Sequence, residues 1–263
     1  MVLVIAEIGS CHDGSIEKAH RLIVAAKDAG ADVAKFQFWS NADRLAQRRG
    51  AEAYREIYRR YQMPAEWLPE LHAYCDAVGI EFMTTVYLPE DVGVVAPFVN
   101  RFKVASFEAA DPKLQAALGA IDNPVIVSSG MRDETEVWRL MDEWLDACRD
   151  VSWLHCVSSY PAPVDALNLR VISDREFAFG FSDHSEPTLT WTGALAVAAG
   201  APIVEAHLRL DDTDIENPDA PHAMDPRQFR EYVRHIRFAE TALGDGNKRL
   251  MPCEAPMTAY KVK

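Results

Sequence analysis

The sequence predicts an α/β protein whose eight parallel strands close into one (β/α)8 barrel, a TIM barrel that forms a single domain. Three observations support this fold class. The chain has 263 residues, and such a barrel needs about 250. Eight short apolar runs alternate with helical patterns, which is typical of parallel βαβ units. Each run is continuous rather than alternating, as expected for strands covered on both faces.

The predicted elements follow in order along the whole chain, 1–263. Strands are predicted over residues 2–8, 33–38, 81–86, 101–106, 125–129, 152–157, 177–181 and 203–206. Helices are predicted over residues 15–29, 66–78, 90–98, 112–118, 134–148, 167–172, 188–199 and 226–243. Gly30, Gly79 and Gly200 end three of these helices. An open doubly wound sheet is the rival fold, but no GxGxxG motif follows the first strand.

Two segments fall outside the strand and helix alternation. Residues 44–61 form a helical excursion after the second strand, and the Asp-rich residues 208–225 form a loop after the last strand. In a barrel both would lie on the catalytic face.

Composition excludes several function classes. With 40 acidic and 27 basic residues the net charge is -13, which argues against affinity for nucleic acid or anionic membrane. No apolar run approaches the roughly 18 to 20 residues of a membrane span, and the start MVLVIAEIG is too short and acidic for a signal peptide. Five cysteines without a CxxC pair indicate reduced thiols. We therefore expect a cytoplasmic protein.

The eight apolar runs end in polar or charged residues, and a parallel barrel brings all its carboxyl ends to one face. The residues at these ends are Glu7, Lys35, Gln37, Thr85, Lys103, Ser106, Ser128, Tyr160, Ser182, His184, Glu205 and His207. They predict one site on that face.

A histidine pair is the strongest chemical signal. His184 and His207 end the seventh and eighth strands, which lie about 4.8 Å apart, so both imidazoles could bind one divalent cation and leave positions open for substrate. The alternative is that one histidine only hydrogen-bonds in the barrel mouth. The carboxylates of Asp183 and Glu205 beside the pair favour the metal site.

Two lysines predict an anion site. Lys35 and Lys103 are placed at strand ends, and an ammonium is costly to bury unless it is paired. With the hydroxyls of Ser106, Ser128, Thr85 and Ser182 they would make a phosphate or carboxylate cradle. Each serine could instead be a helix N-cap or a turn residue.

Glu7, Glu108 and Glu205 are candidate general acids or bases. Each could equally be a structural partner of Lys35 or Lys103. Glu7 should adjoin the last strand in a closed barrel, where it could orient a metal ligand.

Six arginines cluster in the excursion: Arg44, Arg48, Arg49, Arg55, Arg59 and Arg60. A solvated helix face balanced by Glu52 and Glu56 is the favoured interpretation. The alternative is that some of them bind an anionic acceptor.

Eight motifs in a fixed order carry a family resemblance over essentially the whole chain. They are AEIGSCHDG, GADVAKFQ, FMTTVYLPED, RFKVASFE, VIVSSGM, LHCVSSYPAP, GFSDHS and GAPIVEAH. Together they resemble the barrel domain of the N-acetylneuraminate (sialic acid) synthase family. The resemblance implies a transferase that condenses phosphoenolpyruvate with an open-chain N-acetylated sugar aldehyde.

The resemblance also implies residue roles. Phosphoenolpyruvate would be held by Lys35, Thr85, Lys103, Ser106, Ser128 and Ser182. His184 and His207 would bind a divalent ion, Mn2+ first, with Mg2+ or Co2+ as alternatives. The sugar acceptor or the reacting centre would be faced by Glu7, Gln37, Glu108, Tyr160 and Asp219. We expect Glu108 to transfer a proton to or from the attacking water or the new hydroxyl.

The chain departs from the family pattern at three motifs. Cys11 precedes His12 where the family has asparagine, Ala206 replaces a frequent lysine, and Ser158 replaces an asparagine. We keep Ser158 as a substrate-binding candidate that could act through water. Family members usually continue into a C-terminal antifreeze-like domain, which in a domain-swapped dimer supplies an arginine to the acceptor.

This sequence stops at YKVK, about where that domain would begin. We therefore expect either a different aldehyde acceptor or a separately supplied domain, with a homodimer as one assembly. Two other function classes stay open, a metal-dependent barrel hydrolase or isomerase and a non-catalytic sugar-phosphate binding subunit.

Overall fold

The computed structural model describes residues 1–173 and 179–262. Its strands are β1 (Leu3–Gly9), β2 (Val33–Phe38), β3 (Glu81–Val86), β4 (Phe102–Val104), β5 (Val125–Ser128), β6 (Val151–His155), β7 (Phe179–Asp183) and β8 (Ile203–His207). Neighbouring strands pair in chain order, and β8 pairs in parallel with β1 to close the barrel. The predicted (β/α)8 barrel is confirmed.

The helices lie between the strands. They are α1 (Ile16–Ala29), α2 (Ala42–Arg49), α3 (Arg55–Arg60), α4 (Trp67–Val78), α5 (Val92–Val95), α6 (Pro112–Gly119), α7 (Glu134–Ala147), α8 (Arg170–Ser173), α9 (Thr192–Ala198) and α10 (Pro226–Leu243). Short 3-10 turns occupy Glu52–Tyr54, Pro89–Asp91, Ala96–Phe98, Val164–Ala166 and Pro252–Tyr260. Residues 244–262 after α10 are exposed and add nothing to the barrel.

Local chemistry sets the helix ends. The side chain of Ser15 accepts a hydrogen bond from the amide of Lys18 and begins α1, and Gly30 ends it at a φ of 91°, a conformation that glycine adopts without steric cost. The predicted helix 90–98 is in fact one α turn between two 3-10 turns, because Pro97 lacks the N–H that a longer helix needs.

The fourth strand is shorter than predicted, and one predicted boundary cannot be compared. The predicted strand 101–106 keeps three residues, because the amide of Glu108 donates to the carbonyl of Ala105 and turns the chain there. The predicted start of the seventh strand, residue 177, lies outside the described residues.

The barrel interior has an apolar lower half and a charged upper half. Inward-pointing side chains at the amino ends of the strands form an apolar plug of Ile5, Val33, Met83, Ile126, Leu154 and Ile203. Two residues further along β1, β2 and β8 the inward positions hold Glu7, Lys35 and Glu205, since alternate residues of a strand share a face. The larger core lies between the strands and the surrounding helices. In the part of the chain described, no helix is long and apolar enough to cross a membrane.

Candidate active site

A cavity of about 600 Å³ opens at the carboxyl ends of the strands. The predicted site residues that line it are Glu7, Lys35, Gln37, Thr85, Lys103, Ser106, Ser128, Tyr160, Ser182, His184, Glu205, His207 and Asp219. Glu108 and Ser158 are not among the lining residues.

Lys35 occupies the centre of the cavity floor, which we define as Glu7, Lys35, Lys103 and Glu205. Its Nζ lies 2.6 Å from Glu7 Oε2 and 3.3 Å from Glu205 Oε2, and it donates a 3.0 Å hydrogen bond to Thr85 Oγ1. The predicted strand-end position of Lys35 is wrong, because three residues of β2 follow it. It tolerates this buried position because two carboxylates pair with it.

Lys103 is the second cation of the floor. Its Nζ donates to Ser128 Oγ at 2.7 Å and to the carbonyl of Val104 at 3.0 Å, and lies 3.9 Å from Glu205 Oε1. Glu7 and Glu205 are therefore ion-pair partners of the two lysines, which was the structural alternative for the candidate acids and bases. This alternative does not describe Glu108, which pairs with an arginine.

The two floor carboxylates differ in protonation. Burial raises the pKa of Glu7 to about 7, although Lys35 opposes the change. Burial acts in the same direction on Glu205, but Lys103 and Lys35 outweigh it and lower the pKa of this carboxyl to about 2. When Glu7 is protonated, two ammonium groups face one carboxylate, so the floor attracts an anion.

The hydroxyls of the rim point inward rather than capping helices. Ser182 Oγ donates to Glu205 Oε1 at 2.8 Å, and Ser128 Oγ accepts from Lys103. Ser106 Oγ accepts the amide of Gly130 at 3.1 Å. The helix N-cap alternative is wrong for these three serines. They remain candidates for holding a substrate anion.

Three histidines meet opposite the lysines. The ring centroids of His184 and His207 lie 5.6 Å apart, and a third histidine, His222, lies 4.3 Å from His207. Burial lowers the pKa of all three, for His222 to about 2. Neutral imidazole is the form that binds metal ions.

The histidine cluster fits a divalent cation. His184 Nδ1 lies 3.0 Å from the carbonyl of Val157, which fixes its ring. Its Nε2 lies 3.3 Å from Ser182 Oγ, a contact that a metal ion would replace. His207 Nδ1 and both nitrogens of His222 are buried without hydrogen-bond partners. One ligand atom each from His207, Asp219 and His222 lie within 4.8 Å of one another. Imidazole and carboxylate suit Mn2+ or a similar ion.

His222 was not predicted from the sequence. It lies in the loop 208–225, where no periodic pattern singles out a residue. The usable signal is its residue type, because a histidine three positions after Asp219 lies in a loop that the barrel fold places on the catalytic face.

An aromatic roof covers the outer half of the cavity, formed by Trp39, Tyr54, Tyr58, Tyr61, Tyr87 and Phe107. Arg49 of α2 lies beneath it, with its guanidinium carbon 4.9 Å from the ring centroids of both Tyr87 and Phe107. Trp39 packs edge-on against Tyr87. None of these aromatic residues was predicted from the sequence as part of the site.

Glu108 holds Arg49 rather than facing the reacting centre. Its two oxygens accept from Arg49 Nε at 2.6 Å and Nη2 at 2.9 Å. This bidentate pair uses both carboxylate oxygens, and the proton-transfer role predicted for Glu108 does not fit it. Glu108 is a positioning residue for Arg49.

The other five excursion arginines pair with acidic residues. Arg44 pairs with Glu90, Arg48 with Asp111, Arg55 with Asp43 and Glu52, Arg59 with Asp43 and Glu56, and Arg60 with Asp214 and Glu216. The predicted balance by Glu52 and Glu56 is confirmed for Arg55 and Arg59, whereas Arg44, Arg48 and Arg60 pair with acidic residues outside the excursion. Arg49 lines the cavity.

Tyr160 and Ser158 differ in placement. The ring centroid of Tyr160 lies 4.5 Å from that of His184 and 4.9 Å from that of His222, and burial raises the pKa of its hydroxyl. Ser158 lies behind the rim against Gly130, where a Cβ would approach its Oγ to 2.3 Å. The same position lies close to Ser106 Oγ, which lines the cavity, so a contact of Ser158 with substrate through water stays a prediction.

The barrel mouth can bind an anion on its lysines and act on it with ionisable groups. Fold and site together define a TIM-barrel enzyme with an anionic substrate. The family model described as the NeuB family matches residues 22–248. The chain belongs to the NeuB family.

Named relatives give the family its chemistry. The chain is 34% identical over 266 residues to a pseudaminic acid synthase of Campylobacter jejuni, covering 93% of this chain and 76% of that protein. It is 32% identical over 273 residues to the N-acetylneuraminate-9-phosphate synthase of Homo sapiens, covering 95% and 74%. The predicted membership among sialic-acid-type synthases is confirmed.

A solved structure shares the fold over almost the whole chain. The N-acetylneuraminic acid synthetase of Leptospira borgpetersenii superposes with a TM-score of 0.88 at 27% identity, covering 98% of this chain and 90% of that one.

Proposed function

We propose that the protein condenses phosphoenolpyruvate with the open-chain aldehyde of an amino sugar, giving a 2-keto sugar acid and phosphate. The observation that carries the proposal is that two buried lysines and three clustered histidines line the same cavity. Membership in the NeuB family and relatives named as synthases of pseudaminic acid and N-acetylneuraminate 9-phosphate support it.

The floor suits the charge of phosphoenolpyruvate. Lys35 and Lys103 would pair with its phosphate and carboxylate, and the hydroxyls of Thr85 and Ser128, which accept from these lysines, would donate further hydrogen bonds. Ser182 would add another once its hydroxyl turns from Glu205 to the substrate. Ser106 would complete this cradle from the adjacent rim.

The reaction joins two carbons and adds one water. Carbon three of the enol attacks the aldehyde carbon, water adds to carbon two, and phosphate leaves the tetrahedral intermediate to give the ketone. Glu7 is the group suited to protonate the alkoxide oxygen that the attack leaves on the former aldehyde carbon, because its pKa of about 7 keeps a transferable proton near neutral pH. The proton released when water adds to carbon two would restore the protonated form of Glu7. Gln37 orients it through a 2.8 Å hydrogen bond from Nε2 to Glu7 Oε1.

A divalent ion would be held at the histidine cluster by His184 and His207. We propose Mn2+, with Mg2+ or Co2+ as substitutes; because Mn2+ and Mg2+ prefer oxygen ligands, water and substrate oxygens would fill the positions that the two imidazoles leave open. When bound, it would polarise the aldehyde oxygen as a Lewis acid. The five free cysteines agree with a cytoplasmic location.

A panel of aldoses tests the function. Phosphorylated and N-acylated sugars would be incubated with phosphoenolpyruvate and Mn2+, and phosphate and keto acid measured together. We expect equal amounts of both products, formed only when both substrates are present. Lys103→Met should lower kcat/KM at least about tenfold through loss of charged hydrogen bonds, whereas Lys113→Met on the exposed face of α6 should not.

Two outcomes would replace the proposal. Conversion of a sugar without phosphoenolpyruvate would favour the hydrolase or isomerase alternative. Substrate binding without turnover across the panel would favour the non-catalytic binding subunit.

A further inference from the structure

We propose that His222 is a ligand of the divalent ion together with His207 and Asp219, so that the loop 208–225 supplies two ligands and is fixed by the metal. The inference rests on the proposed function only in placing the ion in the same cavity. It extends the two-histidine site, in which both ligands come from strand ends.

The burial of His222 carries the argument. The residue is 4% exposed, yet neither ring nitrogen has a hydrogen-bond partner among the described residues. A buried polar group without a partner is costly. His207 Nδ1 shares this condition at a ring distance of 4.3 Å. One ion between the two rings would give each ring a partner at one nitrogen.

Asp219 supplies the charge that two neutral imidazoles lack. Its Oδ1 lies 4.0 Å from His222 Nε2, and its Oδ2 accepts from the amide of Ser10 at 2.9 Å and from the hydroxyl of Ser10 at 2.8 Å. Outer hydrogen bonds of this kind orient a ligating carboxylate. With one atom from each residue inside 4.8 Å, the set has the compactness of an ion site.

Aromatic packing alone does not explain His222. Its ring lies 4.9 Å from the ring of Tyr160 and edge-on to that of His207. Phenylalanine would make the same contacts without burying two unpaired nitrogens. The choice of histidine therefore points to a ligand.

The loop is already held at other points, so the metal would complete its attachment. Asn217 donates to the carbonyl of Ser10 at 2.9 Å, and Arg60 of α3 lies 2.5 Å from Asp214 Oδ2. The metal would then join the loop to β8 through His207. Its binding should order the cavity wall before the acceptor enters.

The first test measures Mn2+ affinity by electron paramagnetic resonance of free Mn2+, without substrates. We expect His222→Ala to weaken binding by about tenfold to 100-fold, at least the effect of losing an outer-shell partner. His72→Ala, on α4 outside the barrel, is the control and should bind as the unaltered protein does. If His222→Ala does not fold, His222→Phe replaces it, because phenylalanine keeps the ring contacts and has no ligand atom.

The second test uses the unaltered protein, so folding of a variant cannot obscure it. Hydrogen exchange of the backbone amides of residues 209–223 should slow when Mn2+ is added. A site made only by His184 and His207 would leave this exchange unchanged. Either Mn2+ affinity retained in a folded His222 variant or absence of protection in the loop overturns the inference.

The aldose panel separates this inference from the proposed function. Loss of Mn2+ affinity and protection of the loop, in a protein that forms no keto acid, would uphold the ligand assignment and reject the condensation. If keto acid forms and the His222 variant keeps its Mn2+ affinity, the condensation is upheld and the ligand assignment is rejected.

Discussion

Glu7 and Glu205 show how one lysine can serve two carboxylates of different charge. Both approach Lys35 Nζ, at 2.6 and 3.3 Å, but only Glu205 also faces Lys103. The second cation keeps Glu205 ionised, while burial raises the pKa of Glu7 to about 7. The charge of the floor therefore changes near neutral pH.

The affinity for phosphoenolpyruvate should follow the protonation of Glu7. As the pH rises through about 7, Glu7 loses its proton, the floor becomes more negative and the Kd should increase. Glu7→Gln cannot ionise and should remove this dependence. Calorimetric titrations from pH 6 to 8 measure the Kd of both proteins. Protonation of phosphoenolpyruvate itself affects both proteins equally, so it cancels in the comparison. Glu186→Gln is the control, and an unchanged pH dependence in Glu7→Gln would contradict the assignment.

Arg49 and Glu108 should be strongly coupled. Arg49→Met leaves a buried carboxylate without its partner and should destabilise the protein by about 3 kcal/mol. Glu108→Gln added to it should recover part of that loss, giving a coupling of about 1 to 3 kcal/mol. Urea unfolding of the four proteins measures the cycle. The exposed pair Arg139 and Glu143 is the control, with coupling below about 1 kcal/mol.

At the scale of elements, α3 and the loop 208–225 form one side of the cavity. Arg60 joins them through Asp214 and Glu216, at 2.5 and 2.8 Å. The Arg60 side chain is half exposed, so the contact adds little to stability. Its effect is to hold the loop close to the helix.

Arg60→Ala should therefore alter acceptor binding more than folding. We expect the free energy of unfolding to change by less than about 1 kcal/mol, while KM for the acceptor aldehyde rises several-fold because the loop is less well held. Steady-state kinetics at saturating phosphoenolpyruvate measure this change. Arg149→Ala, at an exposed ion pair far from the cavity, is the control. An unchanged KM would show that the loop needs no contact with α3.

The strands whose sequence is a clean apolar run were predictable to the residue. β2 and β3 have the predicted bounds, and β1 and β8 differ by one or two residues. The bounds of β4 were not predictable in this way, because the length of this strand depends on the turn at Ala105 rather than on hydrophobicity. Helix α5 is shorter than predicted because of Pro97. Proline is tolerated in the first turn of a helix but breaks a helix further along, so its effect cannot be judged until the start of the helix is known.

Site residues on strands were more predictable than those on loops. The strand order makes Glu7 the neighbour of His207, and the two are paired in register. The other site residues depend on tertiary contacts that the sequence does not show. Glu108 pairs with Arg49, 59 residues earlier, and His222 contacts His207 because of the conformation of its loop. Strands buried on both faces also hide which residues point inward, so Lys35 was placed too near the end of β2.

At the scale of the whole molecule, the barrel is closed below the cavity by the apolar plug. Gly180 in β7 makes room for this plug. A Cβ at this position would lie 2.5 Å from Leu154 Cδ2 on β6 and 2.6 Å from the carbonyl oxygen of Ile203 on β8. Three adjacent strands therefore keep their spacing because one inward position has no side chain.

Gly180→Ala should destabilise the barrel by about 1 to 3 kcal/mol, the usual cost of overpacking a core. Its methyl group would meet the backbone of β8, which can move only if the strand pairing changes. Gly93→Ala is the matched control, since Gly93 lies in α5 with nothing within 4 Å of an added Cβ. There alanine should leave stability unchanged or raise it by up to about 1 kcal/mol. Urea unfolding followed by circular dichroism compares them, and equal midpoints would show that the plug does not limit the spacing of the strands.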